Sequence, residues 1–137
     1  MKKALISLFS LGFLILAACP AGSPEEAGKN TYTNISVDTL KTMLDERPDS
    51  FLLVNTHIPF EGNIPNTDIA IPYNEILDNL DQLPQDMDAE IVLYCLSDGM
   101  SNAAAADLVQ AGNTNVVNLT GGFIAWEAAG FPLEMEP

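Results

Sequence analysis

The sequence predicts an α/β fold, a doubly wound, mostly parallel sheet with helices on both faces. Three observations lead there. Short apolar runs at residues 51–54, 91–95 and 115–119 have the length and composition of strands buried on both sides. Segments with helical apolar spacing lie between them, joined by short connections, which is the pattern of alternating β and α units. At 137 residues the chain is also long enough for one such domain and no more.

The elements follow in order. Ser36 can cap a helix whose apolar positions are Val37, Leu40, Met43 and Leu44, with Asp38 near its positive end and Arg47-Pro48-Asp49 as its stop. Phe51–Val54 is the first strand expected. A polar loop rich in Pro and Gly runs from Asn55 to Asp68, and Ile69-Ala70-Ile71 can form a brief strand. Asn74 is expected to cap a short helix carrying Ile76, Leu77 and Leu80. Pro84 and the acidic run to Glu90 make a solvated connection. Ile91–Cys95 is a buried strand ending in a cysteine. Leu96-Ser97-Asp98-Gly99-Met100 forms a loop, and Ser101 is expected to be the N-cap of an Ala-rich helix over 102–111, with Gly112 just past its end. Asn115–Leu119 is the next strand and Thr120-Gly121-Gly122 a tight turn. A last helix over Phe123–Ala129 packs through Trp126 and stops at Gly130 and Pro132. Phe60 and Tyr73 fall on carboxyl-side loops, where they could wall a pocket.

An apolar fraction of 47% and a charged fraction of 18% fit a folded domain rather than a disordered chain. Charge is the outlier, with 19 Asp+Glu against 5 Lys+Arg and a formal net charge of −14. A surface this acidic repels phosphate backbones, so a nucleic-acid partner is excluded, and any anionic substrate must enter against the long-range field.

Lys2 and Lys3 precede an apolar run from Ala4 to Leu16, followed by small residues, which is the pattern of a secretory signal. Leu16-Ala17-Ala18-Cys19 resembles the bacterial lipobox. That resemblance implies a signal peptide over residues 1–18, lipid on Cys19, and an extracytoplasmic protein anchored to a bacterial membrane. Residues 19–30 contain no large apolar side chain and read as a tether, leaving residues 31–137 as the folded domain. With Cys19 lipidated, Cys95 is the only thiol left. It cannot close an internal disulfide, so it is either a packed small hydrophobe or a reactive group.

In an open α/β sheet, ligands bind beyond the carboxyl ends of the strands. Cys95 sits at such an end, just before a helix. The intervening N–H groups and the helix dipole would favour its thiolate, and would equally hold a persulfide or another small anion attached to sulfur. His57, the only histidine, could lie on the same side of the sheet as Cys95 and serve as a proton donor, or could simply pack its loop. Asp98 is either a specificity residue beside the sulfur or a turn-former using its carboxylate on local N–H groups. Gly121 and Gly122 suit a turn bringing backbone near the loop. One His and one Cys with scattered carboxylates make no metal-ligand set, and no cofactor is expected. A cysteine phosphatase is excluded because the loop from Cys95 to Ser101 contains no arginine to clamp a phosphoryl group.

Residues 91–133 resemble the C-terminal half of a single-domain rhodanese (sulfurtransferase). The matching features are an apolar strand into cysteine, a short loop, an Ala-rich helix ending at Ala111-Gly112, a strand, and Gly121-Gly122-x-x-x-Trp126 before Gly130-Phe131-Pro132. Leu53-Val54-Asn55-Thr56-His57 and Gly62-Asn63-Ile64-Pro65-Asn66 match the family's N-terminal segments more loosely. Asn55, His57 and Asn63 stand where the family has Asp, Arg and His. The resemblance implies that Cys95 accepts a sulfane sulfur as a persulfide and passes it to a thiol or cyanide. The substrate would be held by Leu96, Ser97, Asp98, Gly99, Met100, Ser101 and His57. Members that use thiosulfate carry arginines or lysines around the cysteine, whereas this loop is apolar and acidic, so thiosulfate is expected to be a poor donor. The alternatives are a non-catalytic binding module or a thiol sensor at the cell envelope, with an envelope protein as partner.

Overall fold

In the computed structural model, residues 31–137 are described; the expected signal over 1–18, the tether over 19–30 and Cys19 lie outside the described residues. The strands are β1 (Thr33–Ile35), β2 (Leu52–Asn55), β3 (Ile69–Ala70), β4 (Ile91–Tyr94) and β5 (Val116–Leu119). They form one sheet in the order β1-β5-β4-β2-β3, and every pairing is parallel. The α-helices are α1 (Val37–Glu46), α2 (Gly99–Gln110) and α3 (Gly122–Ala128). The expected doubly wound α/β fold is thus the fold observed.

The two faces of the sheet are read directly from the side-chain alternation of β4. Val92 and Tyr94 join Leu40, Leu44, Phe123 and Trp126 in a core between the sheet and helices α1 and α3. Ile91 and Leu93 point the other way, onto Ala104, Ala105 and Leu108 of α2. All four residues of β4 are buried, so the strand is anchored from both sides. Each fully buried aliphatic side chain there contributes about 1.5–3 kcal/mol. At the start of α1, the Ser36 hydroxyl accepts the Thr39 N–H at 3.2 Å, as its capping role requires.

Four expectations need correction. β1 was not foreseen: Thr33-Asn34-Ile35 has one apolar residue and becomes a strand by pairing with β5. Asn74 caps nothing. The segment Tyr73–Gln82 is a 3-10 helix that follows Pro72 directly and kinks at Asn79. Three residues per turn put Tyr73 and Ile76 on the inward stripe and leave Leu77 and Leu80 exposed. The helix α2 begins at Gly99, two residues before Ser101, so Ser101 lies inside its first turn and is not the N-cap. Cys95 falls just beyond the strand, which ends at Tyr94.

Tyr94 ties β4 to the loop after β2. Its hydroxyl accepts the Ile64 N–H at 3.0 Å and lies 2.7 Å from Thr67 Oγ1. Burial pushes its phenol from the ordinary 10.0 up to about 12. Between those values the unfolded chain loses the proton and the folded one keeps it, so stability is intact below the unfolded value and falls as pH rises from 10.0 to about 12. Tyr94→Phe should remove most of this alkaline decline. At neutral pH it should cost about 1–3 kcal/mol, because the Ile64 N–H is left unpaired. Chemical denaturation of both proteins across this pH range checks both effects.

Candidate active site

Strands β2 and β4 run in register from Leu52↔Ile91 to Asn55↔Tyr94, which brings Thr56 and Cys95, one residue further on, to the same edge of the sheet. Thr56 secures that edge: its N–H and its hydroxyl both donate to the Tyr94 carbonyl, at 2.8 and 2.9 Å. Thr56 is wholly buried and was not among the expected site residues. Nothing in its local sequence marks it, because its partner is 38 residues away.

Beyond Cys95 the chain turns under helix α3. The N–H groups of Phe123 and Ile124 donate to the carbonyls of Cys95 and Leu96 at 3.0 and 3.1 Å. These bonds satisfy donors that a helix start otherwise leaves free. They also orient the loop. In a trans peptide the N–H points opposite to the C=O of the same unit, so the N–H groups of Leu96 and Ser97 point away from α3. The N–H groups of Gly99, Met100 and Ser101 belong to the open first turn of α2. From Leu96 to Ser101, no backbone N–H donates to another described residue. The loop closes on the sulfur, where the Ser101 hydroxyl donates to Cys95 Sγ at 3.4 Å and also reaches the Asp98 carbonyl at 3.2 Å.

Two contacts hold the loop in this shape. Asp98 Oδ1 accepts the Gly121 N–H at 3.0 Å, a bond to a turn 23 residues away. Of the two roles expected for Asp98, the local turn is therefore replaced by a long-range brace. The second contact is the packing of Gly122 against the loop backbone. Its φ is +54°, and a Cβ built there would stand 2.2 Å from the Cys95 carbonyl oxygen.

The expected residues are brought together unequally. Leu96, Asp98 and Met100 are half-buried around the loop, Ser97 and Gly99 are exposed, and Ser101 is fully buried. Cys95 is a free thiol and only 2% exposed. His57 is buried beside α3: its ring meets the Phe123 ring edge-on at 5.4 Å and its Nε2 pairs with Glu61. None of its hydrogen bonds reaches the loop after Cys95, and its Nδ1 is buried without a partner. Tyr73 packs against the core on the α2 side, whereas Phe60 is 38% exposed. Among the described residues no group of three or more His, Cys, Asp or Glu is placed to hold a metal ion.

A family model described as rhodanese-like domain matches residues 29–129. A sulfurtransferase of Allochromatium vinosum is 36% identical over 102 residues, covering 72% of this chain and 92% of that protein. The crystal structure of a rhodanese-related protein from Thermoplasma volcanium is 28% identical with a TM-score of 0.64, over 77% of this chain and all (100%) of that one. A rhodanese-like domain protein from Staphylococcus aureus gives 29% identity and a TM-score of 0.62, over 77% of this chain and 99% of that one.

Proposed function

The chain belongs to the rhodanese-like domain family, and on that premise we propose that it is a sulfurtransferase working through a persulfide on Cys95. The observation carrying this reading is the unbroken series of N–H groups from Leu96 to Ser101 that donate to no other described residue, on a loop that closes back to the sulfur. In the first half-reaction the Cys95 thiolate attacks the outer sulfur of a sulfane donor R–S–SH. A bond forms between Sγ and that sulfur, the donor's S–S bond breaks, and R–S⁻ leaves with the electron pair. The loop N–H groups and the Ser101 hydroxyl offset negative charge on Sγ before the step and on the persulfide after it. A thiol or cyanide then removes the outer sulfur and returns the thiolate.

Polysulfides and persulfides suit this site better than thiosulfate does. Asp98 is held in the loop by Gly121, and the basic residues described are occupied elsewhere: Lys41 pairs with Asp45 and Arg47 with Glu90, both at 2.5 Å. A dianion would meet a thiolate and a fixed carboxylate with only backbone N–H groups and the Ser101 hydroxyl, and no cationic side chain among the described residues, to offset them. Intact-mass measurement of the protein after exposure to polysulfide should show one added sulfur on Cys95, with slow turnover of thiosulfate. Asp98→Asn keeps an oxygen acceptor for the Gly121 N–H and removes the charge. It should raise kcat/KM for thiosulfate about fivefold, the effect of about 1 kcal/mol of like-charge repulsion. The gain should shrink with added salt and be absent for a neutral donor. A wild type that turns over thiosulfate as fast as polysulfide contradicts this donor preference.

The rival reading, a binding module or thiol sensor, draws on the burial of Cys95. It becomes the better one if no donor loads Cys95 in the folded protein. We further propose that the protein is lipid-anchored through Cys19 on the extracytoplasmic side of a bacterial membrane, where an envelope protein could be its partner. The support is the Lys2-Lys3 start, the apolar run and Leu16–Cys19. Protein made in a bacterium should partition into detergent with a diacylglycerol-modified N-terminus at Cys19, and Cys19→Ala should abolish this. A soluble, unmodified wild-type chain would refute the anchor.

A further inference from the structure

Away from the Cys95 loop, an apolar cavity of about 150 Å³ opens between the end of the 3-10 helix, the loop after it and the end of α2. Its apolar lining is Leu80, Leu83, Pro84, Met87 and Ala111. Leu83 is buried, whereas Leu80 and Met87 are 37% and 47% exposed. The walls are tied together. The Thr114 N–H and hydroxyl both donate to the Met87 carbonyl, at 2.9 and 3.1 Å, and the Gln85 amide donates to the Leu83 carbonyl at 3.1 Å. Residues 83–87 lead into β4 and 111–114 into β5, so the cavity lies at the amino edge of the parallel sheet and Cys95 beyond the carboxyl edge. A cavity of about this size accepts one benzene-sized apolar group. Partly exposed apolar side chains gathered around it mark a contact surface.

The charges around the cavity have one sign. Every charged residue on the segments that build it is acidic, Asp78, Asp81, Asp86, Asp88 and Asp107 among them. From Pro48 to Pro137 the chain contains no lysine or arginine. Separately, the cavity receives the carboxyl end of α2, a helix of 12 residues with no basic residue in its last turn. The carbonyls of Gln110 and Ala111 accept no backbone N–H of a described residue, so the negative end of the helix dipole stands open beside Ala111. Carboxylates and helix end favour the same occupant, an apolar group flanked by cations. A second copy of this chain does not offer one: its described cations are Lys41 and Arg47, which pair with Asp45 and Glu90.

We infer that this cavity is a docking site for a cationic segment of a partner protein. The segment inserts one apolar side chain between Leu80 and Met87 and sets lysines or arginines against the acidic rim and the end of α2. A contact this small is weak and reversible, and salt weakens it further. Docking at the amino edge leaves the Cys95 loop open, and the inference is independent of the persulfide reading.

The test titrates the full chain with the peptide Ala-Lys-Lys-Ala-Phe-Lys-Lys-Ala, labelled at its N-terminus and followed by fluorescence anisotropy. Replacing its phenylalanine by alanine should weaken binding about tenfold, and replacing its lysines by glutamates should abolish it. Leu80→Ser combined with Met87→Ser should also weaken binding about tenfold. Asp78→Asn combined with Asp81→Asn should weaken it about threefold. Met135→Ser, at an exposed apolar position beside the Asn63–Glu134 bridge, should leave it unchanged. Amide NMR shifts of the wild type should concentrate at residues 80–87 and 110–114, a readout that stands even if a variant fails to fold. An alanine peptide that binds as tightly shows attraction by charge alone and overturns the inference, as does a glutamate peptide that binds as tightly. Shifts elsewhere, or affinity untouched by the Leu80 and Met87 changes, overturn it too. A concentration-dependent dimer in sedimentation, lost in that double variant, would assign the cavity to a second copy and overturn the cationic partner. Sulfur loading of Cys95, read separately by mass, is expected to be the same with and without peptide.

Discussion

Cys95→Ser is expected to abolish sulfur loading and reduce turnover to background, a loss of about a thousandfold or more, while the domain stays folded. A serine hydroxyl has no accessible anion at neutral pH and forms no persulfide, so the two half-reactions lose their common intermediate. The fold should tolerate the change. Serine is slightly smaller, and the new hydroxyl would find Ser101 Oγ close by, since that oxygen lies 3.4 Å from the present sulfur. Any loss of stability should stay near about 1 kcal/mol. Intact mass after polysulfide treatment, steady-state turnover and thermal unfolding read the three effects separately. A serine variant that still transfers sulfur would remove Cys95 from the mechanism.

The largest structural effect is expected at Gly122. An added Cβ would sit 2.2 Å from the Cys95 carbonyl oxygen and 2.7 Å from the Leu96 carbonyl carbon, and those atoms are backbone that cannot swing aside. The residue also has φ +54°, where an L side chain is strained by about 1 kcal/mol. Relieving the clash would push α3 off the loop and break the bonds from Phe123 and Ile124 to the Cys95 and Leu96 carbonyls. Gly122→Ala should therefore destabilise the domain by about 3 kcal/mol or more, lowering Tm by about 10–20 °C. Any folded fraction should load sulfur slowly because the loop has lost its support. Gly99→Ala is the internal control. Apart from its chain neighbours and the backbone of its own helix, no atom lies within 4 Å of its Cβ position, and the stability change should stay within about 1 kcal/mol. A Gly122→Ala protein with wild-type Tm and activity would show that the close approach of α3 to the loop is wrong.

The sequence alone determined the α/β class, the buried strand that leads into Cys95, though it ends one residue earlier than expected, and the glycine turn before the last helix. Each depends on neighbours in the chain: an apolar run of strand length, an Ala-rich segment stopped by Gly112, and two adjacent glycines. Tertiary structure decided what local composition does not encode. Thr33–Ile35 became a strand only because β5 offered it a ladder, and Leu77 and Leu80 faced solvent because the segment wound with three residues per turn. The sequence placed Ser101 at the start of a helix, but the helix began at Gly99, which turned the hydroxyl from a capping group into a neighbour of Sγ. Asp98 looked local and instead braces Gly121, while His57 was drawn to Glu61 and Phe123. The physical reason is common to these cases. Hydrogen-bond partners and ring contacts are chosen by distance in space, which chain neighbours do not specify, whereas the burial pattern that builds the sheet is written residue by residue along the chain.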